Sequence, residues 1–276
     1  MSSNLNDFSR LSVHTQTTKP WSIDQCIEHY AAAEIPYISV WRHVLEGKSL
    51  NQVKQKIKDA GLKVSALVRG GFFPSIEPEQ RKAALEDNLN AIAQAEAIGA
   101  PMVVLVCGAD GRQSLTQSRA QIEEGIQALI PRAKEAGVQL AIEPLHPMYA
   151  GDKSAIVSLG QANDLAEAIQ SDWVGVAVDV YHLWWDKHLE SEIKRCGQHN
   201  NLLAFHVCDW KVPTTDFLTD RGLMGEGCIP VPQIRSWVED AGFKGPIEVE
   251  IFSDHYWQLD QKDYLEKIKT AYQKHT

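Results

Sequence analysis

Eight short apolar or β-branched runs recur along the chain, and longer segments with apolar residues at helical spacing separate them. The runs are LSVHT, YISVW, LKVSALV, PMVVLVC, VQLAIEP, VGVAVDV, LLAFHVC and PIEVEIF. Strands that are apolar along most of their length are covered on both faces. Alternation with helices supplies that cover and makes the strands parallel. The intervening segments, such as SLNQVKQKIKDAG and EQRKAALEDNLNAIAQAEAIG, end in Gly or Ala-Gly, and Ser22 and Ser49 stand in N-cap position. Eight such units without a linker, a composition shift or a close repeat predict one (β/α)8 TIM barrel, a single α/β domain over residues 1–276. A doubly wound open sheet is the alternative, but no G-x-G-x-x-G follows the first strand.

One of these runs carries charge. VAVDVYHLWWD, residues 176–186, places Asp179 inside an apolar strand and His182 three residues on. A buried carboxylate costs several kcal/mol unless something compensates it. Side chains alternate along a strand, so parity sorts each run into two faces. Val174, Val176, Val178 and Val180 share one face, suited to the helix layer, while Gly175, Ala177 and Asp179 share the inward face. In the neighbouring runs Leu140, Ile142, Leu203, Phe205, Val207, Ile247, Val249 and Ile251 face out. Gln139, Ala141, Glu143, Ala204, His206, Glu248 and Glu250 then face in. Strands five to eight therefore each aim a polar group at the carboxyl-end mouth of the barrel: Glu143, Asp179, His206 and Glu250. Three carboxylates in one cavity repel unless a cation is present. Three oxygens and one imidazole suit Mn²⁺ or Mg²⁺, with Co²⁺ or Zn²⁺ as further candidates. Glu248 lies one layer deeper and reads as an interior ion-pair partner.

Composition narrows the classes of partner. The net charge of −9 argues against a nucleic-acid backbone, and no run approaches ~18 apolar residues, so no membrane span is expected. The opening MSSNLNDFSR lacks the apolar core of an export signal. The five cysteines contain no C-x-x-C and read as free thiols of a cytoplasmic protein.

The segments IEP (142–144), D-x-x-H (179–182), FH (205–206), Arg221 with GEG (225–227) and EIF (250–252) together resemble the xylose isomerase-like barrels. The resemblance is to the sugar phosphate isomerase/epimerase group with D-tagatose 3-epimerase-like enzymes, and it covers nearly the whole chain. It implies metal ligation by Glu143, Asp179, His206 and Glu250, and a proton-transferring role for Glu143 and Glu250. It also implies that His182 and Arg221 hold substrate oxygens. The histidine-rich set of the AP endonuclease branch is not evident, nor is the lysine and second-metal pattern of true xylose isomerases.

These readings lead to a small carbohydrate substrate and to isomerisation or epimerisation by proton transfer through an enediolate, which a divalent ion stabilises as a Lewis acid. The alternatives are a dehydratase or lyase acting on a 3-keto sugar, 3-keto-glycoside or keto-inositol, and a barrel that binds carbohydrate without turnover. A homo-oligomer stays open. His14 on strand one, His146 just past Glu143 and Arg69 at the end of strand three are further candidates for substrate contact. Trp41, Trp184, Trp185, Trp210 and Trp257 follow strand ends, where an aromatic face can stack on a sugar ring.

Overall fold

The computed structural model describes Leu5 and residues 7–276; residues 1–4 and 6 of the opening segment, on which the export expectation rests, lie outside the described residues. The strands are β1 Leu11–His14, β2 Tyr37–Trp41, β3 Lys63–Gly71, β4 Met102–Val106, β5 Gln139–Glu143, β6 Val174–Asp179, β7 Leu202–Val207, β8 Asp209–Trp210, β9 Arg221–Gly222 and β10 Ile247–Val249. Eight of them close a parallel barrel in the order β1-β10-β7-β6-β5-β4-β3-β2. The eight runs of the sequence are these eight strands. The remaining two, β8 and β9, form an antiparallel ribbon inside the long segment after β7, which its glycines and prolines do not announce.

Parity holds for most of the barrel. Leu140, Ile142, Val174, Val176, Val178, Phe205, Val207, Ile247, Val249 and Ile251 join the large core between strands and helices. Ala66, Val68, Met102, Val104, Ala141, Ala177 and Ala204 form a separate cluster of mostly small side chains inside the barrel. Leu203 is the exception. It is expected to face out, yet it packs against the inner cluster. The β6–β7 register slips between Val176 and Ala177, so the residue between Leu202 and Ala204 has no partner and turns inward. Gly175 makes room for it: a Cβ there would lie 2.6 Å from the Leu203 side chain.

The helices begin as their sequences dictate. Ser22 and Ser114 each form a capping box with Gln25 and Gln117. Ser49 occupies its N-cap position without a side-chain cap bond. The cysteines are unpaired, four of them buried and Cys228 exposed. No helix among the described residues is long and apolar enough to cross a membrane.

Candidate active site

Asp179 ends β6 and caps the helical turn Val180–Leu183. Its Oδ1 accepts the Tyr181 N–H at 2.8 Å, which leaves Oδ2 free to face the barrel mouth. His206 sits opposite Asp179 in the β6–β7 register and opposite Glu248 in the β7–β10 register. Glu143 ends β5, and its Oε1 lies 2.9 Å from His206 Nδ1. Glu250 lies one residue past β10, where its N–H donates to the Val207 carbonyl at 3.1 Å. One ligand atom from each of Glu143, Asp179, His206 and Glu250 falls within 4.8 Å of the others, and all four residues are buried. Parity along separate strands thus brings together the four residues expected to hold metal.

Arg221 enters from β9. Its Nη1 donates to Glu250 Oε2 at 3.0 Å and to Asp179 Oδ2 at 3.4 Å, and its guanidinium lies over the Tyr181 and Phe252 rings at 4.2 and 4.7 Å. The side chain expected only to hold substrate is therefore also part of the carboxylate cluster. A guanidinium only donates, so Arg221 Nη2, 3.5 Å from His182 Nε2, requires that nitrogen to be the acceptor. Burial and the Arg221 charge hold His182 well below its usual range, hence neutral. Its proton then sits on Nδ1, a buried atom without a protein partner.

The electrostatics fit a divalent cation. Burial alone would raise Glu250, but His14 and Arg221 hold it well below the usual carboxylate range. Asp179 is pushed up to about 7 by burial, against the pull of Arg221, with Glu250 and Glu143 adding to the rise. His206 is pushed up to about 10: burial opposes its charge, and the Glu143 hydrogen bond and nearby carboxylates overcome that. Three buried carboxylates around one arginine leave negative charge that a divalent ion offsets. One nitrogen and three oxygens are a donor set for such an ion.

Glu143, Glu250, His182 and Arg221 line a cavity of about 150 Å³ whose walls are Trp41, Leu145, Tyr149 and Phe252. Arg69 also lines it, but lies within β3 rather than at its end, because β3 runs on to Gly71. A wider surface groove of about 800 Å³ beside the C-terminal helix holds none of the ligand set.

Two expected substrate contacts lie elsewhere. His14 sits fully buried beneath the cavity, with Nδ1 3.1 Å from Glu250 Oε1 and Nε2 3.3 Å from Glu248 Oε2. It contacts both carboxylates and is not among the residues that line the cavity. Glu248 also accepts from Ser65 Oγ at 2.9 Å, the interior partner role expected of it. His146 caps the short turn Pro147–Tyr149 by accepting the Met148 N–H, and its ring packs between Trp185 and Trp210. It anchors a loop outside the cavity lining. Of the five tryptophans that follow strand ends, Trp41 lines the cavity, Trp210 stacks on Tyr181, and Trp257 packs against Phe252.

Asp209 was not a candidate, yet it organises the loop that carries Arg221. Its two oxygens accept the N–H groups of Trp210, Gly225, Gly227 and Ile229 at 2.8–2.9 Å. Gly227 has to be glycine here, since a Cβ would meet the Trp210 carbonyl oxygen at 2.0 Å. Glu226 of the GEG motif accepts the Tyr256 hydroxyl and the Leu223 N–H, a structural role.

The model of the family described as the xylose isomerase-like TIM barrel matches residues 25–273. The chain belongs to this family. It is 25% identical over 246 residues to an inosose isomerase of Halalkalibacterium halodurans, covering 88% of this chain and 84% of that protein. Among solved structures, protein SMc04130 of Sinorhizobium meliloti 1021 is 40% identical, with a TM-score of 0.93 over 96% of this chain and 98% of that one. The IolI protein with a bound zinc atom shares the fold at 19% identity, with a TM-score of 0.83 over 95% of this chain and 96% of that one.

Proposed function

We propose that this xylose isomerase-like barrel is a divalent-metal-dependent isomerase or epimerase of a keto-sugar or keto-inositol that works by proton transfer. The observation that carries the reading is the placement of Glu143 and Glu250. Both belong to the four-residue ligand cluster and both line the cavity. They come from β5 and from the end of β10, with β6 and β7 between, so they approach a bound carbon from different sides. The inosose isomerase relative supports a carbonyl-bearing polyol as ligand.

A bound divalent ion would polarise a carbonyl and an adjacent hydroxyl and so acidify the C–H between them. The chain's own groups supply the rest. Glu250, held ionised by His14 and Arg221, is a base facing the cavity. Glu143, when it carries a proton taken from solvent, can donate it to the opposite face or to a neighbouring carbon, while Glu250 keeps the proton it has removed. The unpartnered Nδ1–H of His182 is a donor for a ligand oxygen. Trp41 and Phe252 give apolar walls that exclude water and can stack on a ring. For the ion we put Mn²⁺ first on the oxygen-rich donor set, with Zn²⁺ beside it because the IolI protein binds zinc. Five unpaired cysteines support a reducing, cytoplasmic setting.

A screen of the Mn²⁺- and Zn²⁺-loaded protein against ketoses, keto-inositols and 3-keto-glycosides tests this reading. Interconversion of isomers or epimers, abolished by EDTA, is the expected result. Loss of a β-hydroxyl or a glycosyl group instead would reassign the protein as a dehydratase or lyase.

A further inference from the structure

Two of the three cations that line the cavity form no ion pair with its carboxylates. Arg221 pairs with Glu250 and Asp179. Arg69 and Lys153 line the same cavity, and neither has a carboxylate within ion-pair distance among the described residues, although Glu143 and Glu250 attract Arg69 from farther off. Each cationic head lies over aromatic faces instead. Arg69 is 4.5 Å from the Phe72 ring centroid and 5.7 Å from that of Trp41, and Lys153 is 4.0 Å from that of Tyr149. Such contacts hold a cation in place without neutralising it.

The backbone puts both on one side of the mouth. Phe72 N–H donates to the Val106 carbonyl, and Gly108 N–H donates to the Lys153 carbonyl. The end of β3, the end of β4 and the segment through Lys153 therefore lie side by side. With a divalent ion in the ligand cluster, that ion, Arg221 and one further cation offset Glu143, Asp179, Glu248 and Glu250. A positive charge is then left over at the cavity edge. A neutral ketose gives it no partner.

We propose, building on the isomerase or epimerase reading, that Arg69 and Lys153 bind an anionic group of the substrate, a phosphate or a carboxylate. A group between them can accept from both heads while the carbonyl end of the molecule lies at Glu143 and Glu250. An arginine suits either anion, because its planar fork matches two oxygens at once.

Calorimetry on the zinc-loaded protein tests this with D-fructose, D-fructose 6-phosphate and 5-keto-D-gluconate. One of the two anionic ketoses should bind at least ~10-fold more tightly than D-fructose, and which one identifies the group. Arg69→Met and Lys153→Met should each reduce that ratio, and the double variant should bring it close to one. Equal binding of all three ligands, no binding of either anionic ketose, or a preference that survives the double substitution overturns the proposal. Zinc stoichiometry checks that each variant keeps its site. If Arg69→Met does not fold, the half-buried Lys153 carries the test alone, with loss of preference supporting the proposal and full retention overturning it. Deuterium exchange into the ketoses separates the two claims. Exchange without an anion preference removes this proposal alone, and a preference without exchange removes the catalytic reading alone.

Discussion

Asp179 divides its two oxygens between Tyr181 and Arg221: Oδ1 accepts the Tyr181 N–H at 2.8 Å, and Oδ2 faces Arg221 Nη1 at 3.4 Å. One carboxylate thus caps a helical turn and belongs to the candidate ligand cluster. Two substitutions separate these roles. Asp179→Asn keeps an oxygen for the cap and loses the charge, so metal affinity should fall at least ~10-fold with little change in stability. Asp179→Ala should lose the cap as well, about 1 kcal/mol. Metal titration and denaturant unfolding of both variants measure the difference; equal stability loss in the two would remove the cap from the account.

His206 carries the pH dependence. Its metal-free pKa is raised to about 10, and only the neutral ring can ligate a metal. The metal therefore competes with a proton, and apparent affinity should climb as pH rises toward that value. In the metal-free protein the sign is opposite: the His206–Glu143 pair stabilises the fold below the ordinary histidine range and loses that effect as pH rises through about 10. Zinc titrations in buffers of different ionisation enthalpy at pH 7 should show between one and two protons released per ion bound, because Asp179, pushed up to about 7, also gives up its share. Heats that do not depend on the buffer contradict this.

Arg221 contacts two of the four candidate ligands but is not one itself. Arg221→Met removes a positive charge beside the ion and keeps much of the apolar packing on Tyr181 and Phe252. Zinc affinity should be at least that of the parent, while kcat/KM falls by ~10–1000-fold. Loss of zinc together with activity would make Arg221 a support of the ligand set above all.

Strand alternation makes the convergence of the candidate ligands legible. Glu143, Asp179, His206 and Glu250 each follow small or apolar neighbours of fixed parity, and a one-residue slip would bury valines in the wrong layer. The slip at Leu203 escaped because a bulge leaves no local mark except the partnering Gly175 on another strand. His14 was placed inward correctly, but its role depends on Glu248 and Glu250, more than 230 residues away, and no spacing reveals that. The position of His146 just past β5 likewise leaves open whether its ring turns to the cavity or to Trp185 and Trp210, where the structure places it. Asp209 was missed because its partners are backbone N–H groups, which every residue but proline offers.

That Asp209 network makes a stability prediction. Asp209→Ala leaves four N–H groups of the Arg221 loop without their acceptor. The cost should be about 2–4 kcal/mol, as for buried donors left unmade beside a lost carboxylate. Denaturant midpoints of parent and variant check it, and a difference under ~0.5 kcal/mol would mean that water or other groups replace the carboxylate.

Glu143 and Glu250 are expected to act as a base and acid pair, one removing a substrate proton and the other donating a solvent-derived one. The most direct measurement is NMR detection of solvent deuterium entering a turned-over ketose or inosose in D2O, for the metal-loaded parent, Glu143→Gln and Glu250→Gln. Exchange at the carbon beside the carbonyl is expected in the parent. Turnover should fall at least ~100-fold in both variants, with residual exchange in the one that keeps the first base. Turnover without deuterium incorporation, or near-parental turnover in either variant, would contradict it.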